Sequence, residues 1–224
     1  MQRTKLADRT LPAYTKGEEI FNMVSHIVGG ALGITALVMC VVFAALNGNV
    51  YGVIGGAIYG TTMIVLYAMS SIYHGLSPQL MAKKVMQVMD HCAIYFLIAG
   101  TYTPIALCNI REHNTALGWT IFGIIWGMAA LGVTLTAIDL KKYSKFSMIC
   151  YLGMGWCIVL TANLLPKLLG VNGVILLVLG GVAYTVGAVL YGLGKKKKYA
   201  HSVFHLFVLF GSILHFFCIL FYVM

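Results

Sequence analysis

The chain has 224 residues, 60% of them hydrophobic and only 9% charged, against roughly 45–50% apolar and roughly 25% charged in a soluble domain. Fifteen Lys/Arg and six Asp/Glu are too few to cover a water-soluble globule of this size, so composition excludes one and makes lipid the main solvent. The formal net charge of +9 would point to nucleic acid if the basic residues shared one face of a folded domain, but they lie between hydrophobic runs, and no nucleic-acid partner is expected.

After a polar tail over 1–19, apolar stretches of about 20 residues or more predict membrane-crossing helices at about 20–46, 50–74, 85–108, 116–138, 146–165, 171–193 and 199–223. The runs are too long for strands and lack period-2 alternation, so the fold class is all-α: residues 20–224 form a single seven-transmembrane helical bundle. Asn47-Gly48-Asn49, Ser77-Pro78 and the Lys195–Lys198 block punctuate the breaks. The tail lacks the short apolar core of a cleaved signal peptide. Six scattered cysteines, Cys40, Cys92, Cys108, Cys150, Cys157 and Cys218, read as small buried hydrophobes with no disulfide framework or thiolate metal site. Glycines spaced by four, Gly29/Gly33, Gly52/Gly56/Gly60 and Gly123/Gly127, allow close helix approach and carry only packing significance.

Thirteen of the fifteen basic residues fall in the tail and in the loops after spans two, four and six, leaving Arg111 and Lys167 for the alternate loops. Retention of Lys and Arg in cytoplasmic loops predicts a cytoplasmic amino terminus and an outside carboxyl terminus, as in a multi-pass protein of the inner (plasma) membrane. The basic loops are expected to meet anionic inner-leaflet head groups.

Polar residues inside spans are costly and mark function. Asp8, Glu18, Glu19, Glu112 and Asp139 lie in tails, loops or span edges, whereas Asp90 falls about 9 Å into the third span and needs a partner. His201 and His205, spaced i, i+4, project from one face of the seventh span with a bite that suits tetrahedral Zn²⁺. On the topology derived from Lys and Arg alone, His74, Asp90, His201 and His205 share one layer near the cytoplasmic face, from three different spans. Three imidazoles with one open position form the pattern of a catalytic zinc site. Asp90 would orient or deprotonate a water there, and Ser70, one turn before His74, would hydrogen-bond it. The competing reading is a His74–Asp90 hydrogen-bonded pair with His201 and His205 meeting head groups. His26 reaches the same depth, as a satisfied core histidine or as a group that supports the metal ligands from behind. His91 points away from Asp90's face, while His215 and His113 lie toward the outer side. Ser71 is a poorer candidate than Ser70.

Four stretches carry a resemblance: Glu18-Glu19-Ile20 through Ser25-His26; Ser70-Ser71-Ile72-Tyr73-His74; Met89-Asp90-His91-Cys92-Ala93-Ile94-Tyr95 through Ala99-Gly100-Thr101-Tyr102-Thr103-Pro104; and His201-Ser202-Val203-Phe204-His205-Leu206-Phe207. From about residue 17 to the end the chain resembles the bacterial haemolysin III family, within the progestin and adipoQ receptor superfamily of seven-span proteins. The resemblance implies Zn²⁺ held by His74, His201 and His205, with Asp90 and Ser70 around a metal-bound water, and a distant similarity to alkaline ceramidases. Against the receptors the sequence departs in lacking a long cytoplasmic amino-terminal domain, which puts coupling to adaptor proteins in doubt.

The leading expectation is a zinc-dependent hydrolase of a lipid amide or ester in membrane lipid homeostasis, with Asp90 and Ser70 catalytic and membrane lipids as environment and substrate. The alternative is a non-enzymatic protein, either a haemolysin-like pore former or a sensor or receptor of membrane state whose zinc is structural. A proton-relay transporter lacks a second set of intramembrane charges. Substrate and oligomeric state are not legible in the sequence.

Overall fold

The computed structural model describes residues 3–194 and 197–224, so Lys195 and Lys196 of the charged block lie outside the described residues. Seven helices are long and apolar enough to cross a membrane: α1 (Lys16–Leu46), α2 (Val50–Gly75), α3 (Met81–His113), α4 (Thr115–Ile138), α5 (Ser144–Thr161), α6 (Leu165–Gly194) and α7 (Ala200–Tyr222). No strand occurs among the described residues, and the chain is a multi-pass membrane protein of the expected fold class.

Side chains next to each start decide where several helices begin. Thr15 caps α1 in a reciprocal capping box with Glu18, while Asn49 accepts from the Gly52 amide and Asn114 from the Leu117 amide. The third helix is longer than its apolar run, which reads as about 85–108 in the sequence. Its first turn contains Lys83, which is buried and ion-paired within the protein, so the charge does not end the span. At its other end Pro104 lacks an N–H, and the helix widens into a π turn over Ile105–Ile110 without stopping. The sixth element consists of two helical stretches joined at Gly170, whose φ 65° and ψ 169° are not helical, so a short stretch from Leu165 precedes the long one, which begins at about the expected 171.

Neighbours around the bundle are α1 with α2, α2 with α3, α3 with α4, α6 with α7 and α7 with α1, while α5 touches α3, α4 and α6. The third helix is central: 78% of its most apolar window is buried, against 50% for α2 and α7 and 28% or less for the others. The α1–α2 seam depends on glycine, since a Cβ at Gly60 would stand 2.4 Å from the Leu37 Cα. Gly123 and Gly127 face open space, so that pair packs nothing among the described residues. All six cysteines are free, and five are buried.

Basic residues gather at one end of the bundle, hereafter the basic end, where α1 begins and α2 finishes. Contacts from Thr4 to Asp139 and from Lys84 to Ala7 pin the amino-terminal segment across it. At the opposite end the Arg111 guanidinium sits 3.5 Å over the Tyr51 ring, and the Asn109 amide donates to the Leu168 and Tyr222 carbonyls.

Candidate metal centre

Three imidazoles meet at the basic end. His74 ends α2, His201 and His205 open α7 on one face, and one ring nitrogen from each lies within 4.8 Å of the others. The Nε2 atoms of His74 and His201 are 3.3 Å apart, and those of His201 and His205 are 3.0 Å apart. Nitrogens held ~2.0–2.1 Å from a tetrahedral Zn²⁺ stand about 3.3 Å from one another, so the donor set and its spacing fit such an ion. No other group of three His, Cys, Asp or Glu side chains among the described residues can hold a metal in this way.

Glu19 fixes the first of these rings. Its Oε2 accepts from His74 Nδ1 at 2.6 Å, which leaves the Nε2 lone pair of His74 facing the other two imidazoles. The second oxygen, Oε1, accepts from Lys83 Nζ at 2.6 Å, and Lys83 also donates to the Leu76 carbonyl. Lys83 is 1% exposed, so it serves as an internal counter-ion and not as a head-group contact. The competing pair of His74 with Asp90 does not form: the place is taken by Glu19.

Of the other sequence candidates, His26 does reach the layer. Its ring stacks on His205 at 3.7 Å, and neither of its nitrogens has a hydrogen-bond partner, so it is not a satisfied core histidine. Ser70 is buried on α2 one turn before His74, and its Oγ has no hydrogen-bond partner among the described residues; Ser71 donates to the Tyr67 carbonyl. Asp90 is buried near the start of α3, its carboxylate forms no hydrogen bond among the described residues, and His91 Nδ1 lies 3.9 Å from its Oδ2; it is outside the three-histidine group. His91 donates to the Gln87 carbonyl, while His215 donates to the Leu177 carbonyl in the other half of the bundle. Asn22, Ser202 and the Nδ1 atoms of His201 and His205 add further buried polar atoms without partners around the same point. Such a concentration is costly unless a metal, waters or a polar substrate satisfies it.

The amino-terminal segment covers this group. Tyr14 stacks on His201 at 5.0 Å and lies 5.8 Å from His74. Burial first, then the nearby Tyr191, Tyr73, Glu19 and Asp90, raises the Tyr14 hydroxyl pKa above its ordinary value, so the phenol stays protonated. Behind it, Tyr199 adopts φ 61° just before α7, and its amide donates to Glu18 Oε1 at 2.7 Å, which ties the start of α7 to that of α1.

Glu19, Lys83 and Tyr14 are the participants that a sequence search for intramembrane polar groups passes over. A usable signal existed for Glu19: α1 begins at the end where α2 finishes, so the depth argument applied to Asp90 also puts Glu19 level with His74.

A sequence profile described as haemolysin-III related matches residues 14–216. Hemolysin-3 of Bacillus cereus is 39% identical over 208 residues, 92% of each chain, and the Hemolysin-3 homolog of Bacillus subtilis (strain 168) is 38% identical over 209 residues, 93% of this chain and 96% of that one. The monocyte to macrophage differentiation factor of Homo sapiens is 28% identical over 206 residues, 89% of this chain and 79% of that one. With its seven spanning helices and a profile match that reaches from the first into the last of them, the chain belongs to the haemolysin-III-related family.

Proposed function

We propose that this protein is a zinc-dependent intramembrane hydrolase of a lipid amide or ester, resident in the inner membrane with its basic end in the cytoplasm. The observation that carries the reading is the convergence of three imidazole nitrogens within 4.8 Å, one ring being held in its ligand tautomer by the partly buried Glu19 carboxylate. His74, His201 and His205 would hold the ion. When bound, a zinc ion lowers the pKa of water toward ~7 and polarises a carbonyl.

The chain's own groups supply the rest. Asp90, buried and with no hydrogen bond to its carboxylate among the described residues, is the group that would take a proton from water and pass it to the leaving nitrogen or oxygen. The unpartnered Ser70 hydroxyl is free to donate to the substrate carbonyl. Glu19 and Lys83 neutralise each other and hold His74, and Tyr14 limits the access of water from the basic end. The apolar helix surfaces admit acyl chains from the bilayer.

The test is elemental analysis of detergent-purified protein, followed by turnover of N-acyl and O-acyl lipids. About one zinc per chain, with turnover abolished in Asp90→Ala while zinc stays bound, is the expected result. Absence of zinc even after reloading overturns the reading. The names of the two Bacillus relatives favour a second one, membrane permeabilisation; dye leakage from proteoliposomes without lipid turnover would select it.

A further inference from the structure

Arg9 lies in the amino-terminal segment, outside the three-histidine group. It is 8% exposed, and its Nε and Nη1 atoms are buried without any hydrogen-bond partner. A guanidinium cannot shed its proton, and an unpaired buried charge is strongly unfavourable, so an anion is called for.

The chain does not supply it. Glu18 is taken up by Thr15 and the Tyr199 amide, Glu19 by His74 and Lys83, and Asp139 by the amides of Thr4, Lys141 and Lys142. Asp90 lies 3.9 Å from His91 and forms no ion pair with Arg9, while Asp8 and Glu112 are exposed. Among the described residues Arg9 forms no ion pair.

Position selects the anion. The segment is held to α3 by Lys84, which donates to the Ala7 carbonyl, and to the end of α4 by Asp139, whose carboxylate accepts from the Thr4 amide at 2.8 Å. The starts of α1 and α3, at this same end, expose apolar side chains, Ile20, Phe21, Leu80 and Met81 being each 40–50% exposed. Arg9 therefore sits at the head-group level, close to Lys84 on the helix that pins its segment. A planar guanidinium recognises phosphate oxygens through directed N–H donors, and anionic lipid supplies phosphate at that depth.

We infer that Arg9 is the centre of a phosphate-binding site that takes the phosphodiester of an anionic phospholipid and so anchors the amino-terminal segment over the bundle. The site is independent of any hydrolase activity, since none of its residues belongs to the histidine group.

The test uses the full chain in neutral detergent, titrated separately with phosphatidylglycerol, phosphatidylcholine and inorganic phosphate, reading retained ligand by native mass spectrometry and the thermal midpoint. Wild type is expected to hold one phosphatidylglycerol per chain, with at least tenfold weaker binding in Arg9→Gln, partial recovery in Arg9→Lys and less than twofold change in Lys145→Gln, which removes an exposed charge. Inorganic phosphate that binds as tightly, with the same dependence on Arg9, supports the site but assigns it to the free anion and overturns the lipid source. Equal weakening in Arg9→Gln and Lys145→Gln overturns the site in favour of diffuse surface charge. Should Arg9→Gln aggregate, Arg9→Lys with unaltered phosphatidylglycerol binding and specificity overturns the need for the guanidinium.

Discussion

His205 and His215 lie ten residues apart on α7, both buried, and they illustrate how differently the two halves of the bundle treat polar groups. In the half away from the basic end His215 Nε2 donates to the Leu177 carbonyl at 3.0 Å, Trp156 donates to Thr185, and Asn109 donates to two carbonyls, so these donors find protein acceptors, although Tyr59 Oη, Asn109 Oδ1 and His215 Nδ1 have no partner among the described residues. At the basic end His205 faces His201 and His74 and stacks on His26, and a set of buried polar atoms has no partner. Burial of a histidine is thus uninformative by itself. Whether its nitrogens meet a backbone carbonyl or other imidazoles separates a packing role from a ligand role.

The largest effect should come from breaking the rich half. Replacing His201 and His205 together by Ala is expected to bring bound metal down to background by elemental analysis, whereas His215→Ala keeps it. His215→Ala instead costs ~1–3 kcal/mol of stability, because the buried Leu177 carbonyl loses its donor. Equal metal loss in both variants would erase the distinction between the halves.

Glu19→Gln should weaken metal binding about 10–100-fold in a chelator competition, since it removes the charged partner of His74 and leaves Lys83 without its carboxylate. Unchanged affinity would reduce Glu19 to a counter-ion for Lys83.

A smaller effect is expected at the seam that sets α1, and so Glu19 and His26, against α2. Gly60→Leu should lower stability by ~1–3 kcal/mol in thermal unfolding, because the Leu37 backbone is in the way, while Gly123→Ala, which meets nothing within 4 Å, leaves the midpoint in place.

The smallest effect concerns the segment over the basic end. Backbone amides, Thr4 first and then Lys142, hold the Asp139 pKa down at about 2. With an unfolded value of ~3.9, its contribution is complete above pH ~4 and is lost as pH falls through the folded pKa. Pepsin should cut within residues 3–15 increasingly as pH drops from 4 toward 2, and Asp139→Asn should show that susceptibility already at pH 4. A flat profile in both would separate the segment's docking from Asp139.

Sequence alone determined the solvent, the seven spans and the grouping of His74, His201 and His205 in one layer, because transfer free energy and charge distribution act along the chain and survive without coordinates. The i, i+4 spacing on α7 is local helix geometry, legible for the same reason. Tertiary structure alone decided which carboxylate touches His74. Glu19 is 55 residues from His74 and 64 from Lys83, and their meeting depends on the rotation of α1 about its own axis, which is set by close contacts such as Gly60 against Leu37. The stacking of His26 on His205, the solitude of Ser70 and the burial of Arg9 belong to the same class. Each is a matter of which face of an element meets which neighbour, and a nearly uniform apolar helix surface leaves that face unmarked in the sequence.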